Sequence, residues 1–90
     1  MKKKIALVTG ASGGIGAAAA RLFARQGWGV ALHYHRGREK ILALAQELSQ
    51  LNVPVLTVQA DVGDRNQVQG MVDNVLEKFC QLDILVCCSG

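Results

Sequence analysis

Residues 9–16 read Thr9-Gly10-Ala11-Ser12-Gly13-Gly14-Ile15-Gly16. A glycine cluster alone is a weak signal and fits a flexible loop as well as a binding turn. Its setting here says more. It follows Ile5-Ala6-Leu7-Val8, a continuous apolar run of strand length, and leads into a helix-favouring stretch from Ile15 to Gln26. Between a buried strand and a helix each glycine has a physical task. Gly10 lets the chain turn sharply out of the strand. Gly14 lets the backbone approach a pyrophosphate, because a Cβ there would hold the anion away, and Gly16 allows the helix to pack closely on the strand. The free N–H groups and positive dipole end of the helix that starts near Ile15 then face the phosphates. No Lys-Ser or Lys-Thr follows the glycines, which argues against a Walker-type loop.

The same alternation continues along the chain. Gly27 stands where a helix C-terminal glycine belongs. Val30-Ala31-Leu32-His33-Tyr34 reads as a second strand. Arg38 to Leu51 reads as an amphipathic helix whose apolar side is Ile41, Leu42, Leu44, Ala45, Leu48 and Leu51. Pro54 opens a third strand, Val55 to Val58, where its missing N–H is tolerable. Asp64 is a fitting N-cap for a helix through Phe79, since Val68, Met71, Val72, Val75, Leu76 and Phe79 recur at helical spacing. Ile84-Leu85-Val86 is a fourth strand.

Strands that are apolar throughout, alternating with helices, predict an α/β domain: a Rossmann-type, doubly wound parallel sheet with both faces covered. Right-handed crossovers place the βαβαβαβ elements in strand order 3-2-1-4. Residues 1–90 then form one partial domain of that type. The fourth strand would be left as an open apolar edge, which is an aggregation hazard and reads as truncation.

Ninety residues hold at most one small domain, and an apolar fraction of one half with moderate charge fits a globular chain. The formal charge of +3 is modest, and Lys2, Lys3 and Lys4 read as a solvated end before the first strand. No basic face with aromatic partners marks a nucleic-acid surface. No apolar run reaches the length of a membrane span, and Thr9 and Gly10 interrupt the first one too early for a signal peptide. Cys80, Cys87 and Cys88 lack metal-type spacing. They read as reduced, packed thiols, which predicts a cytoplasmic protein.

Nicotinamide dinucleotide folds that prefer NAD carry an acidic residue at the end of strand 2. Here the segment is His33-Tyr34-His35-Arg36-Gly37-Arg38, with Tyr34 at the acidic position. Arg36, supported by His35 or Arg38, can meet a 2′-phosphate through charge-assisted hydrogen bonds, which predicts NADP(H) as the cofactor. The plainer alternative is that these arginines only solvate a surface loop. His33 and His35 share a strand face, but no third ligand suggests a metal site.

The pattern T-G-x-x-x-G-x-G formed by Thr9, Gly10, Gly14 and Gly16 resembles the short-chain dehydrogenase/reductase family, and the turn is most similar to that of its 3-oxoacyl-acyl-carrier-protein reductases. The segment Leu32 to Arg36 resembles the corresponding part of pteridine reductases. The resemblance implies that Thr9, Gly10, Ser12, Gly13, Gly14, Ile15 and Gly16 hold the pyrophosphate side of the cofactor, and Tyr34, His35 and Arg36 its adenosine end. It implies that Asp61 and Val62 contact the adenine, although Asp61 alone could be a turn residue. The family motif Asn-Asn-Ala-Gly is represented by Cys87-Cys88-Ser89-Gly90, and the resemblance implies a backbone contact from Cys88, Ser89 and Gly90 to the cofactor ribose. A thiol makes only weak hydrogen bonds in place of the asparagine amide.

The family transfers hydride between the nicotinamide and a carbonyl or alcohol, using Ser, Tyr, Lys and Asn. None of that set is found here: the one tyrosine is Tyr34, followed four residues later by Arg38. The expectation is therefore no catalytic residue within this chain and no activity by itself. The small carbonyl substrate and homo-oligomeric assembly belong to a longer parent. The alternative is a non-catalytic nucleotide-binding module, or one that pairs its fourth strand with a partner.

Overall fold

The computed structural model describes residues 3–88. Its elements are β1 (Ile5–Thr9), α1 (Gly14–Arg25), β2 (Gly29–Tyr34), α2 (Arg38–Ser49), β3 (Val55–Gln59), α3 (Arg65–Phe79) and β4 (Ile84–Cys87). All strand pairs are parallel, in the order β3-β2-β1-β4. That is the doubly wound arrangement of the 3-2-1-4 type.

Side-chain alternation along the strands feeds two cores. On one face, Val8, Val30, Leu32 and Tyr34 meet Ala20 and Ala24 of α1 and Ile41, Leu44 and Leu48 of α2. On the other, Ile5, Leu7, Ala31 and Val58 meet Met71 and Val75 of α3. Leu7, Leu32, Ile41 and Leu48 are among the largest fully buried side chains. Burial of each contributes about 1.5–3 kcal/mol relative to leaving it exposed. The small residues Gly16, Ala20 and Ala24 form the buried side of α1, so that helix can lie close to the sheet.

The helix ends follow from local sequence. Gly27 adopts φ +90°, its N–H donates to the Ala24 carbonyl, and the Trp28 N–H donates to that of Phe23. This is a Schellman closure. The Phe23 and Trp28 rings, 4.9 Å apart edge to face, seal it. Asp64 caps α3 by accepting from the N–H groups of Asn66 and Gln67. The second helix stops at Ser49, two residues before Leu51, because the chain enters a turn in which Asn52 takes φ +61°.

The fourth strand departs from the expectation of burial on both faces. Ile84 and Leu85 are 40% and 50% exposed, Cys87 is exposed and Cys88 is half-buried. Cys80 is exposed as well, so Cys80 and Cys87 are not packed away as expected, whereas Cys88 is half-buried against the core. The reason is position: β4 is the edge strand beyond β1, and among the described residues no element lies on its outer side.

Registers such as Val8↔Leu32, Tyr34↔Gln59 and Thr9↔Cys87 bring the C-terminal ends of the strands together. The segments just past them share one edge of the sheet. That is where doubly wound folds bind ligands, at the point where strand order reverses.

Candidate functional site

The glycine turn is the centre of that edge. Gly10 has φ +66°, a left-handed conformation that a Cβ disfavours, and its carbonyl accepts the Gly13 N–H at 3.1 Å. Gly13 is the N-cap of α1, with extended backbone and no side-chain cap. The first N–H groups of a helix have no partner within it. No side chain satisfies them here, and no acidic residue stands in the first turn, so the end is free to receive an anion.

The glycines of this turn differ in what excludes a side chain. At Gly16 a Cβ would overlap the Gly10 carbonyl oxygen and lie 2.9 Å from the Ala11 Cα. At Gly14 a Cβ would meet nothing within 4 Å. The fold therefore demands glycine at position 16 and leaves position 14 sterically open. Ile15 is largely exposed at the start of α1.

The loop after β2 is fastened to this turn. Ser12 Oγ donates to the Arg36 carbonyl at 3.1 Å, and Gly37, at φ +85°, lies so close that a Cβ would be 3.2 Å from the Ser12 Cβ. His35, Arg36 and Arg38 are exposed. Tyr34 is 8% exposed, and its side chain belongs to the core beneath α1 and α2. Lys40 lines a groove with Ser12, Gly13 and Gly14, with Arg21 and Glu47 at its side. Arg21 Nε and Glu47 Oε2 pair at 2.7 Å, which raises the guanidinium pKa and lowers that of the carboxyl. Arg21 is thus neutralised, while the cluster at 35–38 carries no acidic residue of its own.

Past β3, Asp61 Oδ1 accepts the Gly63 N–H at 2.9 Å in an Asx turn, and the Asp61 N–H donates to Gln67 Oε1 at 2.8 Å. Asp61 is half-buried and Val62 is exposed. At the end of β1, Thr9 Oγ1 donates to the Val86 carbonyl and accepts the Cys88 N–H at 3.1 Å, joining β1 to the end of β4. Ser89 and Gly90 lie outside the described residues. Thus Thr9 to Gly16, His35 and Arg36, Asp61 and Val62, and Cys88 stand along one edge, while the Tyr34 side chain points into the core.

Two residues at this edge were not singled out by sequence as part of a binding site. Gln67 anchors the Asp61 backbone from α3. His33, 1% exposed, accepts the Gly10 N–H on Nδ1 at 3.0 Å and donates from Nε2 to the Ala60 carbonyl at 2.7 Å. The available signal was a polar side chain in an otherwise apolar strand, which must find partners when buried. Among the described residues no group of three or more His, Cys, Asp or Glu is arranged to hold a metal ion, and no helix is long and apolar enough to cross a membrane.

Comparison with known proteins bears on this geometry. The family model for short chain dehydrogenase matches residues 4–90. The chain is 47% identical over 87 residues to glycine betaine reductase ATRR of Emericella nidulans, a match covering 97% of this chain and 7% of that protein. It is 41% identical over 83 residues to the 3-oxoacyl-acyl-carrier-protein reductase FabG of Staphylococcus aureus, covering 92% of this chain and 34% of the reductase. The crystal structure of a short chain dehydrogenase from Burkholderia cenocepacia in complex with NADP superposes with a TM-score of 0.89 at 42% identity, over 93% of this chain and 34% of that one. The chain thus spans about a third or less of each of these proteins.

Proposed function

The chain belongs to the short-chain dehydrogenase family, and on that premise we propose that it is the cofactor-binding portion of an NADPH-dependent reductase that transfers hydride to a ketone. The observation that carries the proposal is the free first turn of α1 beside a position, Gly14, where the fold itself would tolerate a side chain. Packing does not require this glycine, and it stands at the helix N-terminus, where a pyrophosphate would approach the backbone. The turn fits a pyrophosphate: N–H groups and a helix dipole, with no acidic residue in that first turn to repel it.

Thr9, Gly10, Ser12, Gly13, Gly14, Ile15 and Gly16 form the pyrophosphate side. Asp61 and Val62 receive the adenine, and the backbone at Cys88 contacts a cofactor ribose. NADPH, when bound, supplies the hydride. The choice of NADPH over NADH is supported by exposed His35 and Arg36 just after the position where an NAD-binding fold would carry a carboxylate. Tyr34 fills that position in sequence and contributes through its backbone, since its side chain is in the core. The bound NADP in the Burkholderia dehydrogenase supports the same cofactor class here. Similarity to FabG supports a 3-oxoacyl thioester or related ketone as the substrate of the whole protein.

The test is a fluorescence titration of the full-length protein with NADPH and NADH. The expected result is tighter binding of NADPH. Binding of neither nucleotide would refute the proposal, and a preference for NADH would refute the role given to the basic loop.

A further inference from the structure

We propose that His33 is the positioning residue of the dinucleotide site, a buried imidazole that fixes the glycine turn and the segment after β3 in one register. The inference rests on reading the glycine turn as the pyrophosphate site and assigns what holds that turn in shape. His33 lies on the α3 side of β2, one residue before the strand ends, and its side chain spans from the end of β1 to the end of β3.

The hydrogen-bond chemistry leaves one arrangement. A backbone N–H can only donate, so Nδ1, 3.0 Å from the Gly10 nitrogen, must be an acceptor. A neutral imidazole then carries its proton on Nε2, where the Ala60 carbonyl accepts it at 2.7 Å. The His33 carbonyl also accepts the Ala11 N–H at 2.9 Å. Two consecutive amides of the turn, Gly10 and Ala11, therefore end on one residue. With those two turned inward, the N–H groups at the start of α1 are the ones left facing outward. Ala60 immediately precedes Asp61, so the same ring sets the distance between the phosphate side of the site and its adenine side.

An apolar side chain of similar size would fill the space and leave the Gly10 N–H without its acceptor. The left-handed Gly10 peptide would then be free to turn over. This separates positioning from mere packing. His33→Asn places its amide oxygen close to where Nδ1 stands and retains the acceptor for Gly10. His33→Gln places its amide near Nε2, keeps a donor for Ala60 and loses the Gly10 acceptor. His33→Leu loses both.

The experiment measures NADPH dissociation constants, melting temperatures and amide hydrogen exchange at Gly10 for the full-length protein and the three variants. His33→Gln and His33→Leu are expected to weaken NADPH binding about tenfold, or about 1.4 kcal/mol, with faster exchange at Gly10. His33→Asn is expected to recover most of the affinity and the slow exchange, even where its melting temperature is no higher than that of His33→Gln. Affinity that follows melting temperature alone, or is equal in the Asn and Gln variants, would overturn the inference. If the Leu variant does not fold, the Asn and Gln pair still decides. If the unsubstituted protein binds no NADPH, the cofactor reading has failed separately, and exchange at Gly10 still judges His33: equal rates in every variant would refute its role.

Discussion

Alanine at position 14 and alanine at position 16 should have opposite effects on stability, although both remove a glycine from the first turn of the same helix. At Gly16 the added methyl would overlap the Gly10 carbonyl oxygen and sit 2.9 Å from the Ala11 Cα. These are backbone atoms of a turn that is itself hydrogen-bonded to Gly13 and His33, so they cannot move aside as a flexible side chain would. Overpacking costs roughly 1–3 kcal/mol in ordinary cores, and a backbone collision belongs at the upper end. Replacing glycine by alanine in a helix returns up to about 1 kcal/mol. The net loss is about 2 kcal/mol, or roughly 4–8 °C in Tm for a full-length protein of the size of the relatives. At Gly14 nothing lies within 4 Å of the new methyl, so only the helix-propensity gain remains. Gly14→Ala should melt at or a few degrees above the unsubstituted protein. It should bind NADPH at least about tenfold more weakly, because the methyl occupies the path of the pyrophosphate, a loss of about 1.4 kcal/mol. Thermal melts and fluorescence titrations of the full-length protein provide both numbers. Full NADPH affinity in Gly14→Ala would refute the pyrophosphate assignment. Undiminished stability in Gly16→Ala would refute the close approach of helix and turn.

Other outcomes follow from single features of the structure. Arg36→Ala should raise the dissociation constant for NADPH about tenfold or more while leaving that for NADH nearly unchanged, since only NADPH carries the 2′-phosphate; equal effects would remove Arg36 from cofactor choice. Asp83 accepts the Ile5 N–H at 2.7 Å and the Gln81 amide at 2.6 Å, and these bonds, with Lys4 nearby, hold its carboxyl below its ordinary value of 3.8. A pKa lowered by folding contributes stability that is present above 3.8 and lost as pH falls through the folded value. Urea midpoints should therefore fall in acid less steeply for Asp83→Asn than for the unsubstituted protein, and parallel curves would show that Asp83 is not responsible. A polypeptide of only these ninety residues should self-associate through β4, where Leu85 is 50% exposed. Leu85→Lys should shift it toward monomer in sedimentation velocity, and a monomeric unsubstituted polypeptide would contradict this.

The elements were legible because their signals are local. Ile5 to Val8, Val30 to Tyr34 and Val55 to Val58 are apolar runs between turn residues, and Gly27 and Asp64 carry the chemistry of a helix stop and a helix start. Periodicity and capping act within a few residues, so sequence alone reaches them. The spacing of Gly10, Gly14 and Gly16 likewise predicts a phosphate-binding turn, and it stands where strand order reverses. The open edge is legible too, but not its consequence that Cys80 and Cys87 are exposed. Thiol burial depends on what stacks against a strand, and a sequence does not say that.

Sequence by itself therefore determined the order of the elements and the class of sheet, and it raised the expectation that the glycine turn binds phosphate. The different tasks of Gly16 and Gly14 are legible in their spacing, but only the tertiary structure identified the Gly10 carbonyl and the Ala11 Cα as the atoms that exclude a side chain at Gly16 and showed that none does so at Gly14. Only the tertiary structure sent Tyr34 into the core and joined His33 to Gly10 and to Ala60, 23 and 27 residues away along the chain. The physical reason is the same in each case. Propensity and periodicity are written in neighbouring residues, whereas steric exclusion and buried hydrogen bonds arise between groups that meet only when the sheet assembles.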